Sequence, residues 1–138
     1  MELVSSEQIG RTNMNQTELK EPKTGLKVGK PFRTLDLAVE FYRMVQELEM
    51  KGHLRDQLIR AASSISLNLA EGNAKGTVNE KRHFFQTAYA SLQECKTIFK
   101  LLKITSGDCF DKADHLGASL YKLINSDIKA FKNQKPDL

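Results

Sequence analysis

The sequence predicts an all-α fold, an antiparallel up-down four-helix bundle, on three observations. Between residues 31 and 132, four stretches carry apolar residues three and four positions apart, the spacing of a helix with one buried stripe. The composition is rich in Leu, Ala, Lys and Glu, with three Pro and no Trp, and so leans to helix. The connections are short and carry no period-two alternation, so the helices must cover one another's stripes. A chain of 138 residues holds one domain with a real core, hardly two.

Residues 1–30 are polar, contain Gly10, Pro22, Gly25 and Gly29, and keep no sustained period. They read as a flexible N-terminal tail, which leaves 31–138 for the bundle. Helix one follows Pro31, with Leu35, Ala38, Phe41, Tyr42, Val45 and Leu48 as its stripe and Gly52 as a stop signal. Helix two runs from about Leu54 to Glu71. Leu58, Ala62, Ile65 and Leu69 form its seam, Ala61 widens it, and Gly72 is expected to take the left-handed conformation of a C-terminal cap.

Helix three opens on "TVNE", Thr77 to Glu80, a capping box. In that motif the Thr hydroxyl accepts from the N–H three residues on, and the Glu reaches back. Its stripe is Phe84, Phe85, Ala88, Leu92, Cys95, Ile98, Phe99 and Leu102, wide enough for a bundle core and a subunit contact. Gly107 breaks the chain. In helix four Asp108, Asp111 and Asp114 suit the positive end of the helix dipole, and Lys129, Lys132 and Lys135 the negative end. Its stripe is Ala113, Leu116, Leu120, Leu123, Ile124, Ile128 and Phe131.

No apolar run approaches the roughly 18–20 residues that span a bilayer, and the N-terminus lacks the apolar segment of a secretion signal. The expectation is a cytoplasmic protein without membrane contact, its two cysteines, Cys95 and Cys109, free thiols. A formal charge of +4 permits nucleic-acid contact without demanding it.

Several chemistries are weighed and set aside. "EGNAKGT", Glu71 to Thr77, has the glycines, Lys and Thr of a phosphate loop, but in the wrong order and after a helix rather than a strand. A di-metal bundle needs two Glu-x-x-His motifs, and only Glu80 to His83 matches, where the capping box explains Glu80. Ser63, Ser64, Ser66 and Ser91 sit in no nucleophile elbow, and small residues let helices approach closely. No catalytic residue, metal or cofactor is assigned. What remains is a strip on helix three, Arg82, Gln86, Tyr89, Gln93, Lys96, Lys100 and Lys103, spaced alternately four and three apart on one face, opposite the seam. Such a strip suits a phosphate backbone, and equally a plain solvated face.

The segment "LRDQLIRAASSISLNLAEGNAKGTVNEKRHFFQTAYASLQE", Leu54 to Glu94, resembles a bacterial family. These are the small four-helix-bundle proteins encoded within 23S ribosomal RNA intervening sequences, whose relatives include the accessory variability proteins of diversity-generating retroelements. The family pattern matches at Gln57, Arg60, Ala61, Ser64, Ile65, Asn68, Ala70, Glu71 and Gly72. It continues at Phe84 or Phe85, Ala88, Ser91 and Glu94, while Leu67 and Leu69 depart from the usual residues.

The resemblance implies a homopentameric barrel of such bundles with no enzymatic activity. The retroelement relatives bind a reverse transcriptase and nucleic acid through basic surfaces, and the intervening-sequence members are suspected of binding RNA. It also favours a structural role for the motif's polar residues: a cluster of Asn68, Glu71, Ser91 and Glu94 at one end of the hairpin. There Asn68 would donate to Glu94, and Glu71 would meet loop N–H groups or Arg60. The functional expectation is an oligomeric scaffold that binds RNA or DNA by its backbone, with Arg82, Lys96, Lys100 and Lys103 as leading contacts and Arg55, Lys75 and Lys81 behind them. The alternative is a protein-interaction scaffold, such as an accessory subunit of a reverse transcriptase.

Overall fold

The computed structural model describes the backbone of residues 31–134 and the side chains of residues 31–126. The expected tail, and the side chains of Ile128, Phe131, Lys129, Lys132 and Lys135, lie outside the described residues. Among the described residues there are four helices, α1 (Arg33–Gln46), α2 (His53–Asn73), α3 (Val78–Leu101) and α4 (Asp108–Gln134), and no strand. The connections 47–52, 74–77 and 102–107 are short, so each helix packs against its neighbour in sequence, and α4 closes on α1.

In three of these pairs the contacts run in opposite sequence directions. Along α1 and α4, Thr34 meets Ser119 at 2.7 Å while Glu40 meets Lys112 at 2.8 Å. Along α2 and α3, Ser64 meets Ser91 at 2.9 Å, and Gly72 faces Phe85. Along α3 and α4, Lys96 meets Asp114 at 2.9 Å, and Leu92 faces Gly117.

The core is built from the predicted stripes. Ala38, Phe41 and Val45 of α1 meet Leu58, Ala61, Ala62, Ile65 and Leu69 of α2. Phe85, Ala88, Leu92, Cys95, Ile98 and Phe99 of α3 and Ala113, Leu116 and Leu120 of α4 complete it, together with Cys109, which lies outside the predicted stripes. Phe41 and Phe99 meet edge-on with ring centroids 6.2 Å apart, an arrangement that suits the aromatic quadrupole. Each fully buried Leu, Ile or Phe contributes about 1.5–3 kcal/mol, so this interior, rather than helix propensity, holds the four segments together.

Two helix ends differ from the sequence reading. α2 does not stop on a left-handed Gly72. It runs through Gly72 to Asn73, and Ala74 caps it in right-handed conformation. Gly72 is buried because α3 crosses it: an added Cβ would lie 2.8 Å from Phe85 Cε1 and 2.9 Å from Phe84 Cβ. Positive φ is found instead at Gly52 (88°), at Gly107 (110°) and, the only non-glycine case among the described residues, at Lys103 (61°), just beyond α3. Ile104 N–H donates to the Phe99 carbonyl at 2.8 Å and Lys103 N–H to the Lys100 carbonyl at 3.1 Å. This is the Schellman closure, made here by lysine where glycine is usual.

The α3 start carries the predicted cap in a variant form. Thr77 Oγ1 accepts from Glu80 N–H at 3.2 Å and donates its own proton to Glu80 Oε1 at 2.9 Å. The carboxylate thus answers the hydroxyl of Thr77. No described helix is long and apolar enough to cross a membrane.

Candidate nucleic-acid interface

The basic strip of α3 is only partly a free surface. An α-helix rises about 1.5 Å per residue, so Arg82 and Lys100 stand roughly 27 Å apart, whereas Lys96 and Lys100 are about 6 Å apart along the axis. The strip is therefore one dense cluster at the C-terminal end of α3, Lys96, Lys100 and Lys103, with Arg82 distant at the other end. Lys100 and Lys103 are exposed, Arg82 is half-buried, and none of the three has a carboxylate partner among the described residues.

The expectation that the strip lies opposite the seam needs correction. Lys96 follows Leu92 by one turn, and Leu92 is fully buried, so Lys96 flanks the α3–α4 seam. Its ammonium pairs with Asp114. Tyr89 is likewise half-buried against the core.

The supporting basic residues are drawn into local structure. Lys81 Nζ donates to the Asn73 carbonyl at 2.9 Å, and Arg55 Nη2 reaches the Gln46 carbonyl at 3.4 Å. Both satisfy carbonyls at helix C-termini, which have no partner within their own helix. Lys75 lies 3.9 Å from Glu71 and 5.1 Å from the Phe84 ring centroid, a cation–π contact.

The motif's polar residues do not form the cluster expected of them. Asn68 Nδ2 donates to the Ser64 carbonyl at 2.9 Å and to Ser64 Oγ at 3.1 Å, and Ser64 Oγ in turn meets Ser91 Oγ. The helices are thus joined by a short polar chain, Asn68–Ser64–Ser91. Glu94 is exposed and outside it, Glu71 turns to Lys75, and Arg60 is exposed. The physical reason is reach: Ser64 lies one turn before Asn68 on the same face and directly across from Ser91, so it satisfies the amide before Glu94 can.

Sequence reasoning missed three features. Thr34 is buried and hydrogen-bonded to Ser119, tying α1 to α4. Gly117 allows close approach of α3 and α4; a glycine inside a helical period was the available signal. Leu67, 67% exposed, borders a groove with Val39, Tyr42, Ser63 and Ser66, in which the buried Ser66 hydroxyl has no hydrogen-bond partner among the described residues. The two thiols are buried, and burial pushes Cys95 up to about 12 and Cys109 up to about 11, so neither is a nucleophile near neutral pH.

Compared with known protein families, residues 32–126 match the family described as 23S rRNA-intervening sequence protein, a span that reaches from the start of α1 well into α4. The chain belongs to that family. No curated protein and no solved structure matches it.

Proposed function

We propose that this member of the 23S rRNA-intervening sequence protein family is a non-catalytic cytoplasmic scaffold that binds RNA or DNA through the sugar-phosphate backbone. It acts as an antiparallel four-helix bundle assembled with copies of itself, a pentamer by the resemblance described above. The observation that carries the reading is the exposed pair Lys100 and Lys103, with Lys96 beside them, at the C-terminal end of α3. Lysine ammonium groups at this helix end neutralise phosphates and read no base edges, so the contact is backbone-directed and tolerant of sequence. Five copies at +4 would sum to about +20, a field large enough to gather a polyanion.

The test is fluorescence anisotropy of a labelled single-stranded RNA and a labelled duplex across a salt series. Binding weakens as salt rises, and a Lys100→Gln, Lys103→Gln chain binds more weakly with a shallower salt dependence. Binding that ignores salt contradicts the proposal.

A second reading has its own support. The α1–α2 groove with exposed Leu67 and a Ser66 hydroxyl that has no partner among the described residues suits a protein surface, whether a sister copy or an accessory partner such as a reverse transcriptase. A Leu67→Asp chain that sizes as a smaller species than wild type while still binding RNA would assign the groove to assembly.

A further inference from the structure

Lys96 is the member of the dense cationic cluster that has a carboxylate partner among the described residues, and its head also lies against Gly117 of α4. Asp114 Oδ1 accepts from its ammonium at 2.9 Å. Gly117, one turn further along α4, leaves a notch in which that same ammonium rests: a Cβ built on Gly117 would stand 3.5 Å from Lys96 Nζ and 3.3 Å from Leu92 Cδ2. The Lys96 side chain is consequently 30% exposed while Asp114 is 58% exposed, so the pair sits at the rim of the α3–α4 seam, in reach of solvent and of a ligand lying along α3.

We infer that Asp114 acts as an internal stand-in for a phosphate, withholding Lys96 from the nucleic-acid surface until a phosphate oxygen takes the carboxylate's place. This inference rests on the nucleic-acid reading above. The chemistry is an exchange of one anionic oxygen for another on the same ammonium, with no proton moved. An exposed ion pair is weak, so a phosphate backbone already anchored by Lys100 and Lys103 competes with it effectively, whereas an isolated small anion does not. Lys100 lies about one helical turn from Lys96, so a released Lys96 ammonium adds to the same cluster. Asp114 is thus a positioning residue, acting on the ligand only through Lys96.

The experiment is a double-mutant cycle in the full chain, with labelled oligouridylate and a labelled RNA duplex as probes. Its chains are wild type, Asp114→Asn, Lys96→Gln and the double variant, each checked for helicity by circular dichroism. Asp111→Asn serves as a control that removes a carboxylate one turn earlier on the same helix. Asp114→Asn tightens binding about two- to fivefold, the scale of an exposed ion pair. The gain disappears in the Lys96→Gln background, and Asp111→Asn shows a smaller gain than Asp114→Asn.

An Asp114→Asn gain that persists without Lys96 would mean that only the general field has changed, and would overturn the inference. So would the absence of any gain while wild type binds normally. Failure of wild type itself to bind either probe at low salt would instead strike the nucleic-acid reading, and the inference with it.

Discussion

An alanine methyl at Gly72 would lie 2.9 Å from Phe84 Cβ, an atom that moves only if the α3 backbone moves. Helix propensity favours Ala over Gly by about 1 kcal/mol, but forcing an atom into a packed contact costs about 1–3 kcal/mol. Packing wins because one clashing atom is anchored and the other, Phe85 Cε1, belongs to a buried ring. Gly72→Ala is therefore expected to lower stability by roughly 1–2 kcal/mol in urea unfolding, whereas Gly76→Ala, with nothing within 4 Å of its added Cβ, is neutral or mildly stabilising. The glycine was legible as a punctuation mark, but its meaning was not, because the atoms that require it arrive from α3. The same holds for Asn68. The expected reach of Asn68 across the α2–α3 hairpin to Glu94 is not made: its amide stays on α2 with Ser64, and the bond that crosses the hairpin is Ser64 to Ser91, a proximity that spacing alone does not rank.

At the scale of the helix, α3 was legible at its start and not at its end. Thr77 and Glu80 announce the N-terminus by residue type, since a hydroxyl followed at three residues by a carboxylate satisfies local groups without help from the fold. The C-terminus carries no glycine. Lys103 adopts positive φ because Ile104, half-buried against the core, closes the Schellman bond to Phe99. A β-carbon in that conformation costs about 1–2 kcal/mol. Lys103→Gly is predicted to raise stability by about 0.5–1 kcal/mol once the glycine's greater unfolded freedom is subtracted. The same change removes a cation from the proposed interface, so thermal denaturation and RNA affinity should move in opposite senses. A chain that gained both, or lost both, would detach Lys103 from one of its two assigned roles.

At the scale of the bundle, the number of helices among the described residues, their order and most of the core were legible, because each buried stripe is written in its own helix. Which cations remain free was not, because Lys81, Arg55 and Lys96 are claimed by carbonyls and a carboxylate brought in from other elements. The core also has a pH signature. Burial makes both thiols hold their protons more tightly folded than unfolded. Their contribution is fully present below the ordinary thiol value of 9.0, and is lost as pH climbs through about 11 for Cys109 and about 12 for Cys95. Urea unfolding at pH about 8 and about 10.5 should show a larger alkaline loss for wild type than for Cys95→Ala.

The most direct test of backbone-directed binding is the slope of log affinity against log salt for a single-stranded RNA. Each phosphate neutralised contributes about −0.7 to that slope. Wild type should give a clearly negative slope, and Lys100→Gln with Lys103→Gln should flatten it by about 1.4, two contacts' worth. A slope near zero, or one that the double substitution leaves unchanged, would contradict the assignment of this surface to nucleic acid.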